Sequence, residues 1–447
     1  MNVALVVLDT LRKDAFDAHF DWLPGQRFEN AYSTSHWTIP AHASLFAGTY
    51  ASELGVYAGA QLLDCKEPVL AESFRDSGYT TRAFSANVNV SRPFDFHRGF
   101  ETFEGSWRLE ALSENVFDWD GFIAETREQG PERYLYALQE VLTGDCDTVP
   151  SLKRGALLKL RDLGWGKATH DDGATEALQF VRKTDFGDDE FLFVNLMEAH
   201  TPYAPPEEYR TVEPPELNGL RATLEGPEAN PETIRQAYDD SVRYLSAMYR
   251  AIFAELREEF DYIITLSDHG EVLGEYDAWE HLCGLYPEVT KVPLCIWERE
   301  RDERSESRNN AVRKETVSLL DVHRTVLDMV GIDGESRGRS LLEGTQTAEN
   351  DGETEFLAEY HGLTNRHRIA LGRDGFDTEP LDGEMHALIA PDYYGWEALD
   401  GFHELGEIDK PRERIESLVD ELDKRVIEND VAVSESVEAQ LRDLGYA

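Results

Sequence analysis

The chain has 447 residues, with 43 basic against 88 acidic side chains and a formal net charge of −45. Nucleic acid and anionic membrane surfaces are excluded as partners by that balance, because both would repel the protein. Hydrophobic residues at 41% and aromatics at 11% exclude wholesale disorder, and the length admits two domains or one large domain with an appendage.

Of the 43 basic residues ten are Lys, and the acidic residues are spread along the chain without a long single-sign block. An acidic, Lys-poor surface of this kind resembles that of proteins from salt-in halophiles. At 1 M salt the Debye length is roughly 3 Å, which screens the repulsion. The four cysteines, Cys65, Cys146, Cys283 and Cys295, show no CxxC spacing, as expected in a reducing compartment without structural disulfides. No stretch approaches the ~20 apolar residues of a membrane span. The chain opens without a basic leader region, so a cytoplasmic protein is expected.

In chain order, Val3–Leu8 is an unbroken apolar run, as in a strand buried on both faces of a parallel sheet. Asp9 ends it and, taken alone, reads as a cap for a short helix over 10–13. The stretch 35–45 follows. Pro40 suits the first turn of a helix, residues 41–46 continue it, and Gly48 can end it. Thr38 then sits at or within a residue of the cap, among backbone N–H groups that lack intrahelical partners. Taken alone it reads as a cap, but the position also suits an anion, or a hydroxyl that must become an alkoxide. Further helices are predicted over 69–77, 174–184, 231–258 and 315–330. Apolar runs at 191–196, 262–266 and 292–297 predict buried strands. His200 lies four residues beyond the first of these runs, and Ser267, Asp268 and His269 directly follow the second. Residues 105–172 read as an insertion covering one sheet edge, 204–231 as a Pro- and Glu-rich loop at a site mouth, and 298–310 as a solvated connection. A polar stretch at 345–354 reads as a boundary. Beyond it, short strands are expected at 356–360, 369–371 and 386–389, then a helix over 411–428.

Strands alternating with helices predict an α/β fold. It consists of a large, mostly parallel sheet sandwiched by helices over 1–350 and a small α+β subdomain over 351–447. Ligands of such sheets bind beyond the carboxyl ends of the strands, where Asp9, His200, Asp268 and His269 fall. With Thr38 and His281 they suit a single divalent cation. Carboxylate oxygens favour Mg, Ca or Mn, and imidazole admits Mn or Zn. A hydroxyl on such a metal has a lowered pKa and can attack an ester.

The chain resembles the sulfatase branch of the alkaline-phosphatase superfamily. The matching stretches are Val7 to Arg12 (VLDTLR), Trp37 to Phe46 (WTIPAHASLF), His200 to Tyr203 (HTPY), Ser267 to Glu271 (SDHGE), Lys291 to Leu294 (KVPL) and Gly338 to Leu341 (GRSL), with terminal matches at 400–413 and 444–446. The resemblance implies a metal held by Asp9, Thr38, Asp268 and His269, with Thr38 also the nucleophile. His200 and His281 would bind the transferred group or protonate the leaving group, and His42, Asn87 and Lys291 would contact substrate. The departures matter as much. Sulfatases carry Cys or Ser, oxidised to formylglycine, where this chain has Thr38. Their Arg four residues later is His42, the acidic residue beside the first Asp is Thr10, the Asn after the second Asp is His269, and a Lys near the site is His281. Unmodified Thr with Asp-His is similar to lipoteichoic-acid synthases and phosphoethanolamine transferases, which favours phosphoester chemistry. The substrate expected is a small-molecule or glycan- or lipid-linked anionic ester. The alternatives are an arylsulfatase-like sulfuric ester hydrolase and an anion-binding relative without turnover.

Overall fold

The computed structural model describes residues 1–110, 117, 119, 122, 126, 130, 133–162, 173–299, 311–342 and 355–427. Its centre is β1 (Val3–Leu8), every residue of which is fully buried. Val3, Leu5 and Val7 pack with Phe28, Phe46 and Phe74 on one face of the sheet. Ala4, Val6 and Leu8 pack with Phe16, Tyr249 and Trp297 on the other. An unbroken apolar run is what such two-faced burial requires. The other strands are β2 (Gln26–Tyr32), β3 (Thr80–Ser85), β4 (Thr102–Gly105), β5 (Glu190–Leu196) and β6 (Tyr262–Leu266), then the two-residue pair β7 (Val272–Leu273) and β8 (Trp279–Glu280), and finally β9 (Lys291–Val292), β10 (Leu294–Glu298) and β11 (Val312–Ser318).

Among the described residues the large sheet has nine strands, in the order β11-β2-β10-β6-β1-β5-β3-β4 with β9 beside β2. The β9 and β10 strands run antiparallel to their neighbours, and the other pairs are parallel. Leu8 lies opposite Leu196, and Val7 opposite Leu266. The three central strands therefore end almost level and release their following residues at one edge.

Two corrections concern this sheet. The single strand expected over 292–297 is divided between β9 and β10 at Pro293, which has no N–H for a ladder. The helix expected from 315 begins at Leu319, because Ser318 and Asp321 form a capping box and the residues before them pair with β2. Elsewhere the helices Leu70–Asp76, Ala174–Lys183 and Pro231–Glu259 lie where the periodicity predicts them.

The C-terminal part is a second, antiparallel sheet of β12 (Phe356–His361), β13 (Glu384–Ala390), β14 (Tyr393–Ala398) and β15 (Gly401–Leu405). The helix Pro411–Asp420 packs on it through Ile415 and stops short of the expected residue 428. The strand expected at 369–371 is instead part of the helix Asn365–Arg373, because the Thr364 side chain caps His367 N–H. The second sheet is tied to the first through Glu359 N–H donating to Thr34 C=O at 2.9 Å and Tyr394 Oη paired with Thr290 Oγ1 at 2.6 Å. Within 105–172, the helices Arg133–Thr143 and Thr148–Asp162 lie beside a small core of Trp119, Ala137 and Val141. The expected boundary at 345–354, most of the loop at 298–310 and the closing stretch at 444–446 lie outside the described residues. All four cysteines are free. No helix among the described residues is long and apolar enough to cross a membrane.

Candidate active site

The helix Thr38–Ala47 has Trp37 as its cap residue, in extended backbone and without a side-chain cap bond. Thr38 is therefore the first helical residue, and its hydroxyl is not spent on capping. Gly48 closes the helix at φ +71°, and a Cβ there would come 2.3 Å from His323. Thr38 Oγ1 lies 3.3 Å from His269 Nε2 and accepts from Asn87 Nδ2 at 3.4 Å.

Asp9, Asp268 and His269 are fully buried, and each offers a ligand atom within 4.8 Å of the others. Asp9 leaves β1, and Asp268 and His269 leave β6, at the shared edge. Thr10 has φ +61°, a strained value for a β-branched residue, and its hydroxyl donates to Asp9 Oδ1 at 2.8 Å. Asn87 donates to Asp9 Oδ2 at 2.7 Å, and Asn195 lies 3.4 Å from the same oxygen. His269 Nδ1 is 2.9 Å from the Gly270 carbonyl, which only accepts, so the proton sits there and Nε2 offers its lone pair to the cluster. Asp268 Oδ2 is buried without a hydrogen-bond partner. Two buried carboxylates, one with an orphaned oxygen, beside an imidazole lone pair fit a divalent cation.

His42 is buried beneath this cluster. Its Nδ1 is 3.0 Å from the Thr38 carbonyl and 3.4 Å from Asp268 Oδ2. Burial opposes its charge, but Asp268 and then Asp9 outweigh that and raise its pKa. Burial likewise pushes Asp268 upward, and His269 and then the nearby His42 reverse this, holding its pKa low.

A cavity of about 570 Å³ opens above Thr38, with His36, His200 and His281 in its lining. The His281 ring centroid is 4.4 Å from that of His269 and 5.3 Å from that of His200. His281 Nδ1 is 2.8 Å from Glu271 Oε1, and Tyr203 Oη donates to Glu271 Oε2. Burial, followed by the charges of His269 and His200, drives the His281 pKa well down. Burial, followed by Glu280, drives that of Glu271 well up. His200 Nδ1 donates to the Thr201 carbonyl at 2.6 Å. The loop expected at the mouth does line it, from Pro215 to Arg221, and the helix Asn365–Arg373 supplies the facing wall.

Asp9, Thr38, Asn87, His200, Asp268, His269 and His281 thus converge, with His42 directly below. Lys291 does not join them. Its amine donates to Asn30 at 3.0 Å and sits over the Tyr32 ring, and it is not part of the cavity wall. Sequence reasoning did not single out Asn195, Glu271, Tyr203 or Glu280. For Asn195 the signal was available, as an amide inside the otherwise apolar run 191–196.

The sulfatase family profile matches residues 2–332. Among curated proteins, the uncharacterized sulfatase YidJ of Escherichia coli K12 is 25% identical over 82% of this chain and 76% of its own length. The choline-sulfatase of Rhizobium meliloti is 24% identical over 74% and 68%. Among solved structures, the phosphonate monoester hydrolase of Agrobacterium radiobacter superposes with a TM-score of 0.59 at 18% identity, covering 100% of this chain and 94% of the other. The 2-O glycosaminoglycan sulfatase BT1596 gives 0.58 at 13% identity, covering 94% and 89%. A family match across the whole catalytic sheet, on a chain that gathers acidic and imidazole side chains at that sheet's carboxyl edge, makes this protein a member of the sulfatase family and an ester-hydrolysing enzyme.

Proposed function

We propose that the protein is a divalent-metal-dependent hydrolase of anionic esters that uses unmodified Thr38 as nucleophile and prefers phosphoesters to sulfate esters. The supporting observation is the Thr38 hydroxyl, which is free of any capping role and faces His269 Nε2 and Asn87 beside the acidic cluster. Asp9, Asp268, His269 and Thr38 would hold one ion, Mn, Mg, Ca or Zn. When bound, such an ion lowers the pKa of a hydroxyl and offsets negative charge on the substrate.

The protein side chains do the rest. Thr38 Oγ1 loses its proton to water and bonds to phosphorus or sulfur. The bond to the leaving oxygen breaks, and that oxygen keeps the electron pair and takes a proton from His200 or from water, while His281 lines the transferred group. Water then attacks the same centre, and Oγ1 departs and is reprotonated. Asn87 and Asn195 hold Asp9 in place, and His42 holds Asp268. The phosphoester preference rests on chemistry, since Thr cannot be oxidised to the formylglycine aldehyde. The substrate is a small-molecule, glycan-linked or lipid-linked ester, in keeping with the similarity to choline and glycosaminoglycan sulfatases. In this reading residues 1–350 form the catalytic unit, 351–447 a subdomain that walls the cavity, and the protein works in a salt-rich cytoplasm.

The test is a parallel assay of phosphate monoester, phosphodiester, phosphonate and aryl sulfate in molar salt, with the metal varied. Thr38→Ala should lose at least ~10³-fold in turnover while staying folded, and Thr38→Ser should retain part. Protein quenched during turnover should carry a phosphoryl adduct on Thr38. Turnover by a folded, metal-loaded Thr38→Ala protein would overturn the mechanism, and a sulfuryl adduct would overturn the preference.

A further inference from the structure

The helix Arg133–Thr143 is built inside out. Its small residues Ala137 and Val141 face inward and pack with Trp119, while Leu135, Leu138 and Leu142 are 69%, 41% and 58% exposed. Positions i, i+3 and i+7 put these three leucines in one stripe on the solvent side. Tyr136 beside them and Val149 on the next helix, Thr148–Asp162, are exposed as well. The other exposed large apolar side chains among the described residues are spread along the chain. Charge singles out the same segment. Residues 148–168 carry Lys153, Arg154, Lys159, Arg161 and Lys167 against Asp162 alone, in a chain of net charge −45. Arg133 and Lys159 lie over the Tyr134 ring, 5.0 and 4.9 Å from its centroid, and so stand next to the stripe. The insertion is also rooted where the candidate site is. The β4 strand runs parallel to β3 and, through β5, to β1, so the chain enters the insertion at the carboxyl edge of the sheet. Arg108, three residues beyond β4, lines the cavity. Gly173, where the chain returns, lies against Ala86, the neighbour of Asn87.

We propose that this insertion docks the protein on an anionic lipid bilayer: the stripe of Leu135, Leu138 and Leu142 enters the boundary between headgroups and acyl chains, and the neighbouring Arg and Lys side chains meet lipid phosphates. A helix that is apolar on one side and flanked by cations lies in a membrane interface in this way. The proposal rests on the hydrolase reading above only for its consequence, a lipid-linked ester brought to the cavity. The charge of the whole chain repels an anionic surface at a distance. In molar salt that repulsion reaches roughly 3 Å, so the groups in contact decide the outcome, and here they are leucines and cations. A second copy of the chain is the competing occupant. The helix has 11 residues, so it is about 16 Å long, and a stripe about 10 Å wide offers on the order of 200 Å². A stable protein interface takes about 800 Å² from each partner, whereas membrane binding grows with whatever apolar area is buried.

The test is flotation of the full chain with phosphatidylglycerol or phosphatidylcholine vesicles in molar KCl. The wild type should float with phosphatidylglycerol. The Leu135→Ser/Leu138→Ser/Leu142→Ser variant should bind at least ~10-fold more weakly, with an unchanged melting temperature and unchanged turnover of a short soluble ester, because the three side chains face solvent. Lys159→Glu should weaken binding to phosphatidylglycerol more than to phosphatidylcholine. A wild type that stays unbound, or a leucine variant that binds as well as wild type, overturns the docking. Equal binding to the two lipids, unaffected by Lys159→Glu, overturns the choice of an anionic bilayer. Light scattering covers the second copy: a wild-type dimer that the leucine variant turns into a monomer assigns the stripe to self-association and overturns the proposal. Turnover of the soluble ester by the same samples reports separately on the hydrolase reading. A protein that floats but hydrolyses nothing keeps the docking and loses that reading.

Discussion

At the scale of single residues, the candidate site is built from strand ends and one helix start. Asp9, Asp268 and His269 were legible because each directly follows an apolar run, where a polar side chain has no reason to sit unless the sheet edge uses it. Thr38 was legible because Pro40 and Gly48 bracket its helix. Glu271 and Tyr203 were not, since a Glu two residues after a His and a Tyr after a Pro look alike in any loop. Only the fold brings Tyr203 and His281 to the two oxygens of one carboxylate. The expectation belonging to this scale concerns metal. Asp9→Ala and Asp268→Ala should each purify folded but without stoichiometric metal, because in the proposed site each removes an anionic ligand that the remaining groups would not replace. Elemental analysis decides it, and full metal content in both variants would contradict the assignment of these carboxylates.

At the scale of elements, the buried central strands and the long amphipathic helices follow from periodicity. The failures have local causes. The β2 strand was missed because Arg27, Glu29 and Asn30 break its apolar pattern, although the strand is hydrogen-bonded on both sides. The segment at 369–371 has the apolar look of a strand, yet a capping threonine settles it as helix. The second sheet also carries a pH response. His361 on β12 lies 3.5 Å from Glu359 and 3.6 Å from Glu384, with His386, Tyr57 and Lys424 around the group. Burial works against its charge, but Glu359 and Glu384 outweigh it and push its pKa up to about 9. A histidine whose folded pKa lies above its unfolded value stabilises fully below pH ~6.5, and that contribution is lost as pH rises through about 9. Urea unfolding at pH 6 and pH 9.5 should therefore show a loss on the order of 2–3 kcal/mol in the wild type. His361→Gln should remove most of that difference, and an equal drop in both proteins would assign it elsewhere.

At the scale of the whole molecule, the charge of −45 dominates. Arg pairs such as Arg98–Glu72, Arg12–Glu275 and Arg337–Glu53 tie distant segments together, but 43 cations cannot pair with 88 anions one to one. Lowering the salt lengthens the reach of that repulsion from roughly 3 Å at 1 M to roughly 30 Å at 0.01 M. Thermal melts should thus rise steeply with salt and level off only in the molar range. A midpoint that stays flat from low to molar salt would remove the halophile reading. Composition alone raises this expectation, whereas the pairing of particular charges depends on topology that composition does not contain.

That topology also bears on how the protein is made. The innermost strand, β1, precedes both of its partners in the chain, and Val3 pairs with Phe191 on one side and Tyr262 on the other. The β10 strand, which joins β6 to β2, arrives later still. During translation this apolar strand must therefore wait for β5 before one edge is paired and for β6 before the other is. Closing such long loops is slow, and exposed apolar strands aggregate meanwhile. Nascent chains stalled before β6 should be protease-sensitive throughout, with resistance appearing cooperatively once β10 has emerged.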